Sequence, residues 1–186
     1  GYWLRLAPRY RVNDHLFMVL AVTYSKNMNN IGYVADSLEN EDLKIIFGKR
    51  DLENITSTLN LNYTIDSRFS LSFRIRHYLF EVDYNGYYDL GRDGGLTPTD
   101  YSGDDDFIYN AFNIDTYLTW LFAPGSELVL AWKNAIYTSE DLPADNYFRE
   151  LASTLETPAS NLISLKLLYY LDSQYFRKLK KRTPTD

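Results

Sequence analysis

Three observations predict an all-β chain folded as an antiparallel up-and-down transmembrane β-barrel. Apolar and polar residues alternate at period two over stretches of about ten residues. The connections between these stretches alternate between short and long, as the two rims of an outer-membrane barrel do. Aromatic residues make up 16% of the 186 residues, 17 of them tyrosines, and such barrels carry aromatic girdles at both interfaces. The clearest stretch is Asn161 to Asp172, NLISLKLLYYLD. Ile163, Leu165, Leu167, Tyr169 and Leu171 share one parity, while Ser164, Lys166 and Asp172 share the other beside Leu168 and Tyr170.

Composition narrows the function classes. No run of about 18 apolar residues exists, so the sequence offers no transmembrane helix. Cysteine is absent, which excludes disulfide frameworks and thiolate metal sites. A net charge of −6 argues against nucleic acid as a partner. The opening GYWLRLAPRY lacks the pattern of a secretory leader. An outer-membrane chain needs one, so the expectation is that it was removed or that the chain begins within a longer protein. An aromatic-rich soluble β-sandwich is the competing fold.

From the start, Tyr2, Leu4, Leu6, Tyr10 and Val12 fall on one face, and Arg5, Arg9 and Arg11 with Trp3 on the other. Arginines facing lipid at mid-depth are costly, so this face is expected to look into a wet interior. Pro8 has no N–H to donate and pushes the strand toward a bulge or a sheet edge. After the turn pair Asn13-Asp14, Leu16, Met18, Leu20, Val22 and Tyr24 form the next apolar face, in a strand expected to reach about Ala35. Asp36 to Asp42 is expected to be a polar hairpin tip. Leu43, Ile45 and Phe47 resume, followed by Ile55, Leu59, Leu61, Tyr63 and Ile65 against Asn54, Thr56, Thr58, Asn60, Asn62 and Thr64. The charged interruption GKRDLEN suits either a strand projecting beyond the membrane or a break into two strands.

Asp66-Ser67-Arg68 is a short turn. Phe69, Leu71, Phe73 and Ile75 then oppose Ser70, Ser72, Arg74 and Arg76, but beyond His77 the apolar set changes parity to Tyr78, Phe80, Val82 and Tyr84. A β-bulge at His77 would produce this inversion, as would a strand leaving the bilayer near Tyr78. We take the bulge as the expectation. A loop over 86–106 precedes Ile108, Phe112, Ile114, Leu118, Trp120 and Phe122, opposed by Asn113, Asp115, Tyr117 and Thr119. The turn Ala123-Pro124-Gly125-Ser126 leads to Leu128, Leu130, Trp132 and Ile136, opposed by Glu127 and Lys133. In the long connection 138–160, Tyr147, Leu151 and Leu155 recur at helical spacing, with Asp145 as cap and Pro158 as stop.

The sum is seven strands, with short turns at one end and long connections at the other. Single-chain bacterial barrels have even strand numbers. Residues 1–173 are therefore expected to be the C-terminal part of a larger barrel, and 174–186 a basic periplasmic tail.

The stretches IIFGKRD, SLSFRIRHYLFEVDY, NAFNID, FAPGSEL followed by WKNAI, NYF and SLKLLYYLD resemble a Bacteroidota-type outer-membrane family of unknown function. Its members carry a carbohydrate-binding family 9-like domain ahead of a large barrel. The resemblance runs through most of the chain from Leu43 onward. It implies a bacterial outer-membrane location and a carbohydrate-linked role, and offers no catalytic residue to carry over.

Candidate sites follow from the parity. Arg5, Arg9, Arg11, Arg74, Arg76, Lys133 and Lys166 with Asp115 share the inward face. They form either a basic lumen that attracts anions or anionic sugars, or a charge-balanced lining in which Asp115, Glu127 and lumen-facing carboxylates of further strands are partners. His77, beside Arg74 and Arg76, lacks the serine and carboxylate motif of a hydrolase. Asp100 and Asp104, Asp105 and Asp106 are oxygen-rich, which calcium favours, but lack EF-hand spacing; a solvated acidic loop is the alternative. The expected function is a non-enzymatic outer-membrane barrel, without cofactor, that supports binding or passage of a carbohydrate-linked substrate. Outer-membrane lipid, a glycan and other outer-membrane proteins are its expected partners. A structural subunit of a larger outer-membrane assembly and a barrel-embedded enzyme are the alternatives.

Overall fold

The computed structural model describes residues 1–39, 42–140 and 146–171. It is an antiparallel meander with one short helix. The elements are β1 (Tyr2–Leu6), β2 (Arg9–Arg11), β3 (Leu16–Glu39), β4 (Asp42–Thr64), β5 (Phe69–Leu90), β6 (Leu96–Pro98), β7 (Phe107–Ala123), β8 (Ser126–Glu140), α1 (Tyr147–Glu156) and β9 (Ser160–Leu168). The order across the sheet is β1-β3-β4-β5-β7-β8-β9, with β2 also on β3 and β6 also on β5. Every main strand therefore pairs with its sequence neighbour, as the alternating connections predict. β1 and β9 do not pair with each other and form the two open edges.

Pro8 separates β1 from β2 without a bulge. Leu6 faces Val22 and Arg9 faces Val19, so the register is the same on both sides of the gap. The proline sits on an edge strand, where a missing N–H costs little, and its carbonyl still accepts from the Leu20 amide at 3.2 Å.

The strands run further than their hydropathy suggests. β3 continues past Ala35 to Glu39, and β4 is one strand through GKRDLEN. Of the expected tip, 36–39 and Asp42 are strand, and 40–41 lie outside the described residues. At ~3.3 Å per residue, β3 is roughly 80 Å long, about three times the height of a barrel's apolar band. Irregularities occur where β3 carries extra residues at 28–29 and at Val34, and where β5 carries Asn85. Asn29 adopts a positive φ of 56°, and its amide donates to Asp51 Oδ1 at 2.8 Å.

No bulge lies at His77. The β4–β5 ladder is unbroken from Thr64–Ser70 to Arg50–Tyr84, and the β5–β7 ladder from Phe69–Trp120 to Val82–Phe107. The bulge expected there lies at Asn85 instead. The apolar parity changes because the surroundings change while the backbone stays regular. Past Ile75, α1 covers one face, burying His77, Leu79, Phe112 and Ile136. On the other face the rings cover one another: Tyr78 lies 6.2 Å from Phe80 and 6.1 Å from Tyr109, and Phe80 lies 6.2 Å from Phe107. Tyr78, Phe80, Val82 and Tyr84 thus make the formerly polar face apolar, while Glu81 and Asp83 fall on the other, so the hydropathy parity inverts although the backbone stays regular.

Residues directly opposite in an antiparallel ladder share a face. The registers therefore put Leu59, Leu61, Ile75, Ile114, Leu118, Leu128, Leu130, Leu165 and Leu167 on one apolar face. Asn60, Arg74, Asp115, Lys133 and Lys166 lie on the opposite, polar face. Near the short turns, Trp120 lies 5.7 Å from Phe122, and Phe122 stacks on Tyr169 at 6.1 Å. Gly125 makes the β7–β8 turn with a φ of 72°, a conformation that glycine tolerates best.

The helix forms where Tyr147 and Leu151 predict it. Its cap is Asn146, whose side chain accepts from the Phe148 amide at 2.8 Å; Asp145 lies outside the described residues. Leu155 is exposed, and Thr154 takes the buried position. β9 ends at Leu168, four residues short of the expected Asp172, and the basic tail also lies outside the described residues.

These ladders assign the extra residue to Asn85. Deleting Asn85 should leave the faces of β5 intact and retain most folded material. Deleting His77 should flip every side chain on one side of the deletion and abolish folding. Equal folded yields on electrophoresis without boiling would contradict this register.

Candidate functional site

The polar face carries all eight residues singled out by parity. One lateral row runs Arg9, Val19, Asn60, Arg74, Asp115, Lys133 and Leu162. At its centre the Arg74 guanidinium meets Asp115 Oδ2 through Nη2 at 2.6 Å and Nε at 3.1 Å. Lys133 stands opposite Asp115 in register and lies 5.9 Å from the Tyr117 ring centroid. In the next row toward the helix, Arg76 donates to Asn113 Oδ1 at 3.4 Å, and Asn113 donates to the Tyr137 hydroxyl at 3.4 Å. Lys166 pairs with Glu127 at 3.1 Å. Arg5, Arg9 and Arg11 are exposed on the β1–β2 edge, where Arg5 donates to Thr23 Oγ1 at 3.5 Å. Among the described residues, Arg74 therefore pairs with Asp115 and Lys166 with Glu127 on this face.

Further along the polar face, near the long connections, a second polar cluster covers the sheet. Arg50 donates to the Tyr84 hydroxyl at 2.9 Å and to Asn30 Oδ1 at 3.2 Å. Gly48 leaves room for the Tyr84 ring, which any Cβ there would strike. Tyr84 stacks on Tyr87 at 5.6 Å, and Tyr87 meets Tyr101 edge-on at 5.0 Å. The Tyr101 hydroxyl donates to Asp105 Oδ1 at 3.3 Å, and Asp106 Oδ1 accepts from the Tyr84 amide at 2.6 Å. The calcium candidate Asp104, Asp105 and Asp106 falls on this loop. Asp105 and Asp106 are turned to separate protein donors, and among the described residues no three acidic or histidine side chains converge to hold a metal. Beside this cluster a cavity of about 280 Å³ is lined by Lys44, Ile46, Asp89, Pro98, Thr99, Asp100 and Tyr101.

The third cluster lies under α1 on the other face. Ser57 stands directly opposite His77. The Tyr147 ring lies 5.1 Å from the His77 ring, and its hydroxyl donates to Ser57 Oγ at 2.9 Å. Asn110 donates to Glu150 Oε2 at 3.3 Å. His77 is only 3% exposed, and neither ring nitrogen has a hydrogen-bond partner. A serine nucleophile needs its hydroxyl hydrogen-bonded to the histidine. Here that hydroxyl is held by a tyrosine, and the arrangement serves to dock the helix.

Sequence reasoning missed the cavity and the Ser57–Tyr147–His77 contact. Lys44 and Asp89, or Ser57 and Tyr147, carry no local motif, and only sheet register and loop folding bring them together.

The whole of residues 1–181 matches one family model, Domain of unknown function (DUF5916). The chain belongs to this DUF5916 family. No curated protein and no solved structure matches it. Among the described residues, no helix of this DUF5916 chain is long and apolar enough to cross a membrane, which says nothing of strands.

Two outcomes follow from this electrostatic geometry. Asp115→Ala should cost about 1 kcal/mol, because it leaves Arg74 and Lys133 facing each other; the Arg74 side chain is 46% exposed, so solvent limits the loss. The cost should shrink as salt rises; a salt-independent loss in urea unfolding would contradict the ion-pair account. Burial, with the Asp105 carboxylate as hydrogen-bond partner, holds the Tyr87 phenol well above its ordinary range. Above pH ~10 the unfolded chain loses this proton while the folded chain keeps it. Its contribution to stability is therefore complete below pH ~10 and declines as pH rises further. Tyr87→Phe should flatten that alkaline decline in unfolding free energy; an unchanged pH profile would contradict it.

Proposed function

We propose that this chain forms membrane-spanning strands of a bacterial outer-membrane β-barrel, with no catalytic role, supporting binding or passage of a carbohydrate-linked substrate. The single observation that carries the reading is the division of the sheet near its short turns. One face there is a continuous apolar surface bordered by Trp120, Phe122 and Tyr169, and the other is a row of paired charges and amides. Leu165 is 66% and Leu167 65% exposed. Water penalises such a leucine-rich surface, whereas hydrocarbon solvates it. The membrane-embedded part of each strand then runs from the Trp120 row to the Ile114 row. The long upper sheet, α1 and the 91–106 loop stand outside the bilayer.

The two open edges support a place within a wider barrel, since unpaired backbone groups are not tolerated in lipid. The bacterial outer-membrane location and the carbohydrate link rest on resemblance to barrels that follow a carbohydrate-binding family 9-like domain. The Ser57 hydroxyl, held by Tyr147 and not by a histidine, favours this reading over an enzyme. The charge pairing at Arg74–Asp115 and Lys166–Glu127 favours a second reading, a structural subunit of a larger outer-membrane assembly, because it leaves less net field to draw ions through.

In liposomes, spin labels at Leu59, Leu118, Leu130 and Leu165 should be accessible to oxygen and shielded from a polar nickel reagent. Labels at Asn60, Asp115, Lys133 and Lys166 should behave oppositely, and a reversed pattern would remove the membrane reading. Single-channel conductance of the same preparation separates passage from a purely structural role.

A further inference from the structure

We propose that one flank of α1 is a lipid-contacting surface: Phe148, Ala152 and Leu155 rest on the bilayer where its headgroups meet the acyl chains. The inference rests on the membrane-spanning reading of the sheet and adds a second, helical contact to it. Phe148 is 75% and Leu155 51% exposed, and Ala152 is exposed between them. The three recur at i, i+4 and i+7, so they form one apolar stripe along the helix.

The contacts of α1 fix where this stripe points. Tyr147, Glu150, Leu151 and Thr154 face the sheet and are buried or half-buried. Arg149, Ser153 and Glu156 are exposed on the side away from it. Tyr147 reaches Ser57 in the His77 row, while Glu150 reaches Asn110, which stands opposite Leu79, one row further from the short turns. At about 100° per residue, Glu150 lies on one side of the sheet-facing stripe, and Phe148, Ala152 and Leu155 lie on the other. The apolar flank therefore points back toward the Ile75 and Ile114 row, where the apolar face ends.

Position matches orientation. Tyr147 contacts β4 and β5, and the helix then packs on β7 and β8, so its axis crosses the strands and lies along the bilayer. The His77 row is two residues beyond the Ile75 row, roughly 7 Å along the strand. A helix with its side chains has a radius of about 5–6 Å, so the flank spans that gap. The sheet itself marks the same level as the edge of the bilayer. Trp132 is 37% exposed on the apolar face, and its indole N–H donates to Asn161 Oδ1 at 3.1 Å, as does the Asn134 side chain at 3.0 Å. Asn134 and Asn161 stand in the Ile114 row, so polar groups begin there. A tryptophan with an apolar ring and a hydrogen-bonded nitrogen suits the membrane–water interface. An amphipathic helix at that level sinks its apolar side roughly 5–10 Å into the boundary between headgroups and acyl chains. The stripe holds no charge, and Arg149 and Glu156 are turned to water.

The chain contains no cysteine, so single cysteines place a fluorophore at chosen positions. The full chain is reconstituted in phosphatidylcholine vesicles with the label at Phe148→Cys, Ala152→Cys or Leu155→Cys, or at Arg149→Cys, Ser153→Cys or Glu156→Cys. A headgroup spin-labelled lipid and aqueous iodide serve as quenchers. The first three labels should be quenched severalfold more by the lipid, and less by iodide, than the second three. Equal quenching of the two sets would overturn the proposal. So would protection of Phe148→Cys and Leu155→Cys from both quenchers, because a protein partner or a second copy would then cover the flank. Phe148→Ser with Leu155→Ser keeps the sheet-facing contacts, so the unfolding midpoint in detergent should not change. In vesicles the same pair should remove most of the lipid quenching at Ala152→Cys, and full retention would count against the proposal. A label at Leu165→Cys separates the two readings. Lipid contact there without lipid contact at Phe148→Cys sinks the helix surface alone, whereas iodide quenching at Leu165→Cys sinks the membrane reading and the helix surface with it.

Discussion

Everything in this sheet depends on the period-two pleat of long, uninterrupted antiparallel ladders. Once Phe69 pairs with Trp120 and Ser70 with Thr64, the face of each residue on β5 is set as far as the Asn85 irregularity. A slip of one residue would move Leu59, Ile75 and Ile114 to the face of Arg74 and Asp115. That would place charges where the apolar surface is continuous and leucines among the amides. The ladder thus ties together two chemically unlike surfaces, and each surface penalises errors in the other.

The same ladder passes through two environments. Near the short turns, one face is apolar and bare and the other polar and hydrogen-bonded. Near the long connections, both faces are covered, by α1 on one side and by the 91–106 loop and an aromatic cluster on the other. This explains how a strand of uniform geometry carries a non-uniform hydropathy pattern. It also explains the location of the buried residues. Leu79, Val82, Ile108 and Ile136 all lie in the covered half, where a soluble-style core exists.

The charges on the polar face work by proximity across strands. Arg74 and Asp115 are distant in sequence but share a row, so one ion pair both neutralises the lining and links β5 to β7. Under α1, polarity has another use. Tyr147 and Glu150 reach Ser57 and Asn110 and fix a short helix at one position on an otherwise apolar surface. A helix of ten residues has little stability of its own in water, so these contacts and its buried Thr154 decide that it forms there.

The sequence by itself determined the strand order, the two faces and the short-and-long alternation of connections, because each rests on local periodicity or turn chemistry. Tyr147 and Leu151 similarly marked the helix through their spacing. Arg5, Arg9, Arg11, Arg74, Arg76, Asp115, Lys133 and Lys166 were placed on a common face by parity alone, since parity survives as long as register does. Only the tertiary structure decided that Asn85 and not His77 is the extra residue, because hydropathy reports the surroundings of a strand and the backbone need not follow. The cavity beside Asp89 and the helix dock at His77 were likewise beyond reach of the sequence. Each is assembled from residues far apart in the chain, and their meeting depends on how loops fold back over a sheet.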